Sequence, residues 1–190
     1  MPIIVVVVRG VNMKILKNNL KSELNIRSEM DFPKDGVEFI DITPLTLDKD
    51  VFSEIIDKFY LELKDKNIDY IVGPEARGFL FGSSVANKLG IAFIPVRKRG
   101  KLPPSYVEAS FSYKKEYGED YLELPKLVGD NYSDKRFYII DDVYATGNTI
   151  RSIEKTIKNL GGKVIGSGVV INIVELNNDE VFSLIDINEN

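Results

Sequence analysis

Apolar positions recur along the chain in two rhythms. Ile15, Leu16, Leu20 and Leu24 stand at helical spacing and predict a helix over 14–26. A second amphipathic helix is predicted over 48–66, with Asp48 placed to cap its first turn. Short runs rich in β-branched and aromatic residues at 37–42, 70–73, 91–96, 106–113, 121–124, 137–140 and 164–174 read as strands. Helices are predicted between them at 78–89 and 149–160. The Asp-Phe-Pro-Lys-Asp-Gly run at 31–36 is turn chemistry. The apolar run at 3–8 suits a strand, and it is far shorter than the ~20 residues that span a bilayer. It has neither the basic start nor the small-residue cleavage site of a signal peptide, so a cytoplasmic location is expected. Residues 1–12 read either as a first strand or as an extension ahead of Met13.

Apolar strands alternating with helices predict an α/β fold with a mainly parallel central sheet flanked by helices. Ligands of such sheets bind beyond the carboxyl ends of the strands. A chain of 190 residues fits one domain, 1–190. With 44% apolar and 28% charged residues it has the make-up of an ordinary globular protein. A net charge of −4 argues against nucleic acid as a partner, and no membrane partner is expected. The chain contains 0 His and 0 Cys, which changes the picture more. Imidazole and thiolate catalysis, disulfides, and His- or Cys-ligated metals are all excluded. Any chemistry must rest on carboxylates, Lys, Arg, Tyr, hydroxyls, backbone amides or a hard, oxygen-bound metal.

The richest stretch lies at 138–149. Asp141 and Asp142 follow an apolar strand, and Ala145, Thr146, Gly147, Asn148 and Thr149 lead into a helix. A small-residue loop at a helix start presents unpaired N–H groups and a positive dipole end, which suits a phosphate. Adjacent carboxylates accept hydrogen bonds from vicinal sugar hydroxyls. Together these features describe a site for a phosphorylated ribose. A second strand-loop-helix unit carries Glu75, Ala76 and Arg77, and the planar fork of Arg77 suits phosphate oxygens. Arg97, Lys98, Arg99 and Lys101 then crowd one strand end in an otherwise acidic chain. A diphosphate would be an appropriate partner for them.

The run at 138–149 resembles the phosphoribosyl-diphosphate (PRPP) motif of type I phosphoribosyltransferases. Asp-Phe-Pro at 31–33, Asp-Ile-Thr-Pro-Leu at 41–45, Glu-Ala-Arg-Gly-Phe at 75–79, Arg-Lys-Arg-Gly-Lys-Leu-Pro at 97–103 and Glu-Tyr-Gly at 116–118 accompany it in order. This order and spacing are similar to those of the adenine phosphoribosyltransferase family over roughly residues 14–175. The resemblance implies the type I phosphoribosyltransferase fold with a small N-terminal hood over 13–45. It implies transfer of phosphoribose from PRPP to adenine, giving AMP and pyrophosphate in purine salvage. Mg²⁺ would be held mainly by PRPP and water, and the protein would be a homodimer.

Carried over residue by residue, Asp141 and Asp142 hold the ribose hydroxyls and 145–149 the 5-phosphate. Arg77 and its loop, with Arg97, Lys98 and Lys101, hold the pyrophosphate. The resemblance also implies a non-proline cis peptide at Glu75–Ala76, Glu116 as general acid/base, and Tyr117 as organiser of its loop. Phe39 would stack on the base. Glu38 and Ile40 depart from the usual apolar residue and Arg on either side of it. Asn148 stands where the family has a glycine, and Asn tolerates the left-handed conformation. Two other readings stay open: a PRPP-binding regulator on the same fold, and a transferase for another purine base.

Overall fold

The computed structural model describes residues 13–20, 26–32, 35, 38–115 and 118–189. An eight-stranded sheet runs through the molecule in the order β1-β10-β9-β8-β4-β5-β7-β6. Its centre is parallel: β10 (Phe182–Glu189), β9 (Lys163–Ile173), β8 (Arg136–Tyr144), β4 (Tyr70–Pro74) and β5 (Ala92–Lys98). Antiparallel strands close both edges. β1 (Met13–Asn18) lies against β10, and the hairpin β6 (Val107–Lys115) and β7 (Gly118–Pro125) lies against β5. A separate antiparallel ribbon, β2 (Arg27–Met30) and β3 (Glu38–Asp41), leads into the short helix α1 (Thr43–Leu47).

The parallel strands are apolar because both of their faces are covered. On one face α2 (Lys49–Leu63) and α3 (Arg77–Leu89) bury Ile55, Phe59, Phe81 and Val85 against Ile71, Tyr138 and Ile140. On the other, α4 (Asn148–Asn159) places Ile150, Ile153 and Ile157 with Val72, Phe137 and Ile139. Neighbouring residues of β4 and β8 therefore serve opposite layers, as the pleat requires. Burial of each large apolar side chain contributes about 1.5–3 kcal/mol. Among the described residues, no helix is long and apolar enough to cross a membrane.

Asp48 caps α2 as its position suggests. Its Oδ1 accepts from the amides of Asp50 (2.9 Å) and Val51 (3.1 Å). Asp48→Ala is expected to cost about 1 kcal/mol of unfolding free energy, measurable by urea denaturation.

The structure adds β2 and α1, which the sequence reading left unassigned, and corrects that reading in three larger places. The helix expected over 14–26 is not formed at its start, where Met13–Asn18 is a strand. The open edge of β10 supplies backbone partners that local periodicity does not register. Lys17 adds a side-chain anchor, its Nζ donating to the Ser183 carbonyl at 2.9 Å. The second correction is β10 itself, at 182–189, a stretch not among the runs read as strands. The third is the length of β8, which continues past Ile140 through Asp141 and Asp142 to Tyr144. β9 runs on beside it, so the backbone stays paired although the side chains have turned polar. The expected strand at 3–8 lies outside the described residues.

Candidate active site

The chain reverses direction across the sheet between β4 and β8. From β4 it passes through α3 to β5 on one side, and from β8 through α4 to β9 on the other. Register between β4 and β8 extends from Tyr70↔Phe137 to Val72↔Ile139, and beyond it β8 follows β9 to Tyr144. The two strand ends part and leave a crevice, the place where a doubly wound sheet takes its ligand. This cavity holds about 530 Å³ and is lined by Phe39, Pro74, Glu75, Ala76, Arg77, Lys98, Tyr113, Leu122, Asp141, Asp142, Val143 and Thr149. A smaller concavity of about 90 Å³ shares Asp141, Val143 and Thr149 with it and adds Ala145, Thr146 and Gly147.

Arg77 ties three walls of the crevice together. Its Nε stands 2.8 Å from Asp142 Oδ2, and its Nη1 donates to the Ile40 carbonyl at 3.1 Å. Its guanidinium lies 5.1 Å from the centre of the Phe39 ring. Asp142 is only 3% exposed. Although Oδ2 is paired in charge with Arg77, it takes part in no aligned hydrogen bond among the described residues. A buried carboxylate oxygen with spare accepting capacity suits a ligand hydroxyl.

Asp141 Oδ1 accepts from the Asp142 amide at 2.9 Å. Burial, and next the charge of Asp142, push the Asp141 carboxyl well above the usual carboxylate range. The folded state therefore holds this proton more tightly than the unfolded chain. The stability linked to it is complete below the ordinary Asp value of about 3.9 and is lost as pH rises through the raised folded value. Asp141→Asn has no such proton to lose. Its Tm should exceed that of the wild type at neutral pH and depend less on pH, which thermal melts at a series of pH values from the ordinary Asp range up to neutrality would test.

Glu75 shapes the opposite wall. The peptide bond Glu75–Ala76 is cis. Glu75 Oε2 accepts from Arg97 Nε at 3.0 Å and from the Lys98 amide at 2.9 Å. Burial pushes the Glu75 carboxyl up, but the Lys98 amide and the Arg97 guanidinium outweigh it and hold the group below its ordinary value. Arg97 thus reaches the crevice through Glu75, whereas Lys98 lines it directly. Lys101 is exposed, one turn further on, with its amide bonded to the Lys98 carbonyl.

At the ribbon, Phe39 faces the crevice while Ile40 turns into the core, 5% exposed. Only the carbonyl of Ile40 is presented on this side, and Arg77 takes it. Glu38 pairs with Met30 along the ribbon backbone. Glu116 and Tyr117 lie outside the described residues. Asn148 differs from expectation: it is the first residue of α4, and the left-handed residue is Gly147, with φ +73°. Behind the 144–148 turn stand Arg151, Asn177 and Asp179, which the sequence reading did not single out. Arg151, one turn into the helix after a Thr-Gly loop, carried a positional signal; Asn177 and Asp179 sit in a loop with no motif.

A family model described as a phosphoribosyl transferase domain matches residues 46–182. An adenine phosphoribosyltransferase of Clostridium botulinum is 46% identical over 173 residues, 90% of this chain and 95% of that protein. The chain belongs to the adenine phosphoribosyltransferase family. Solved structures agree with this membership. The adenine phosphoribosyltransferase of Thermoanaerobacter pseudethanolicus superposes with a TM-score of 0.76 at 40% identity, covering 85% of this chain and 95% of that one. That of Saccharomyces cerevisiae, solved with an imino-altritol bisphosphate and adenine, gives 0.73 at 34% identity, covering 84% and 93%. The mainly parallel sheet with its flanking helices is the type I phosphoribosyltransferase fold of this family.

Proposed function

We propose that this protein transfers the 5-phosphoribosyl group of PRPP to adenine, giving AMP and pyrophosphate in purine salvage. One observation carries the reading: a buried, underbonded Asp142 carboxylate shares a crevice with the start of α4 and with Arg77 and Lys98. Diol acceptors, a phosphate cradle and a cationic wall are the three things PRPP needs. The yeast relative was solved with adenine and an imino-altritol bisphosphate, which supports adenine and a phosphorylated sugar as the ligands of this family's fold.

In this mechanism Asp141 and Asp142 accept hydrogen bonds from the ribose hydroxyls. The amides of 145–149 and the dipole of α4 hold the 5-phosphate. The Glu75–Arg77 loop and Lys98 receive the pyrophosphate, with Arg97 setting Glu75. A part for Lys101, which does not line the crevice, rests on the family resemblance. As the bond from the anomeric carbon to the pyrophosphate oxygen breaks and the bond to the adenine nitrogen forms, positive charge develops on the sugar and the carboxylates face it. The cationic wall meets the charge on the leaving group. Phe39 stacks on the purine. Glu116 exchanges a proton with the base and Tyr117 orders its loop. Both of these roles rest on the family resemblance.

The hard oxygen donors of Asp141 and Asp142 suit Mg²⁺, which such sites hold through waters and substrate phosphates. When bound, the ion neutralises diphosphate charge. The active protein is a homodimer in the cytoplasm. A pyrophosphate-release assay with PRPP, Mg²⁺ and each purine in turn is the direct test. Release with adenine is expected. Release only with hypoxanthine, guanine or xanthine would overturn the base assignment, and no release with any base would favour a PRPP-binding regulator.

A further inference from the structure

The turn proposed to hold the 5-phosphate is gripped from behind by the segment joining β9 to β10. Asn177 Nδ2 donates to the Ala145 carbonyl at 2.9 Å, and the same amide reaches the Ile173 carbonyl at 2.9 Å and Asn172 Oδ1 at 3.0 Å. Asp179 Oδ2 accepts from the Tyr144 hydroxyl at 2.7 Å and forms an ion pair with Arg151 Nη1. Arg151 Nη2 in turn donates to the Thr146 carbonyl and, at 3.1 Å, to Asn148 Oδ1. Burial, and then the bond to Asp179, keep the Tyr144 phenol protonated, so it is a dependable donor.

These contacts have a direction. In a trans peptide the C=O and the next N–H point opposite ways. Asn177 holds the Ala145 carbonyl at the back of the turn, so the Thr146 N–H is aimed forwards. Arg151 holds the Thr146 carbonyl, so the Gly147 N–H is aimed forwards too. Forwards is the small concavity lined by Ala145, Thr146, Gly147 and Thr149. Asp179 fixes Arg151 for this task by neutralising its charge and anchoring it beside Tyr144.

We propose that Asn177 and Asp179 are positioning residues for the phosphate-holding turn, acting through the Ala145 and Thr146 carbonyls to preorganise two amides for the 5-phosphate of the substrate. The proposal rests on the function proposed above. Its test is steady-state kinetics together with ribose 5-phosphate binding by calorimetry, on the wild type, Asn177→Ala, Asp179→Ala and Asp179→Asn. Both alanine variants should raise the KM for PRPP and the Kd for ribose 5-phosphate about tenfold, with kcat and the KM for adenine changed much less. Asp179→Asn retains an acceptor for Tyr144 and should lie between wild type and Asp179→Ala. If Asp179→Ala fails to fold, Asn177→Ala and Asp179→Asn carry the test. A lowered Tm with both PRPP KM and ribose 5-phosphate Kd left within about twofold of wild type would overturn the positioning role. A wild-type protein that does not bind ribose 5-phosphate would overturn the assignment of the turn, and this proposal with it.

Discussion

Asp142→Asn is expected to lower kcat/KM for PRPP by about 10²-fold or more, a loss of about 2.7 kcal/mol of transition-state stabilisation. The substitution preserves size, so its effect comes from charge and hydrogen-bonding character. Asp142 Oδ2 lies 2.8 Å from Arg77 Nε. An amide there either points its NH₂ at the guanidinium, donor against donor, or turns its oxygen to Arg77 and offers the ligand a donor where an acceptor is needed. Both arrangements fail the ribose. They also loosen Arg77, whose other contacts run to the Ile40 carbonyl and the Phe39 ring.

One amide change therefore disturbs the sugar, pyrophosphate and base walls together. Folding should suffer less than catalysis, because the Arg77 side chain is 41% exposed and water can solvate it once its partner is neutral. Pyrophosphate-release kinetics alongside thermal melts separate the two effects. Near-normal turnover in this variant would remove Asp142 from the site.

The sequence carries the site more legibly than the fold's edges, for a physical reason. Chemistry at the carboxyl ends of parallel strands is local. Asp141, Asp142 and Thr149 come from one strand-loop-helix unit and Arg77 from another, and all four line the same crevice. The Asp48 cap is equally local, a side chain meeting amides two and three residues on. What could not be read depends on distant partners. Met13–Asn18 is a strand because β10, far along the chain, leaves an edge to pair with. Asp141 and Asp142 sit inside β8 because β9 continues beside them.

Within the site the same rule holds. The place of Ile40 beside Phe39 in the sequence suggests a base contact, yet alternation along β3 sends its side chain into the core and leaves the carbonyl to Arg77. By sequence alone Arg97 stands with Lys98 as a cation at a strand end. Its guanidinium is instead engaged with Glu75, some twenty residues earlier, a pairing that only the parallel register of β4 and β5 creates.

Gly147→Ala should lower kcat/KM for PRPP by about 10²-fold, and the reason is space more than backbone preference. Gly147 has φ +73°, which costs an alanine about 1–2 kcal/mol. Its Cβ would also stand 2.2 Å from the Tyr144 hydroxyl oxygen, 2.5 Å from Tyr144 Cζ and 2.8 Å from Arg151 Nη1. Tyr144 cannot swing away cheaply, because it is 4% exposed and its hydroxyl is bonded to Asp179. Arg151 is held by the same carboxylate. The turn must therefore move, and a displacement of about 1 Å at a ligand-positioning loop is enough for the expected loss.

Gly129→Ala provides the control. That residue has φ +69°, so it bears a similar backbone penalty, but a Cβ there meets nothing within 4 Å. It should lose only the stability that this backbone penalty costs, about 1–2 kcal/mol, and keep its turnover. Equal kinetics in the two variants would mean that the turn adjusts freely around a methyl group. A preorganised cradle requires Gly147→Ala alone to lose PRPP.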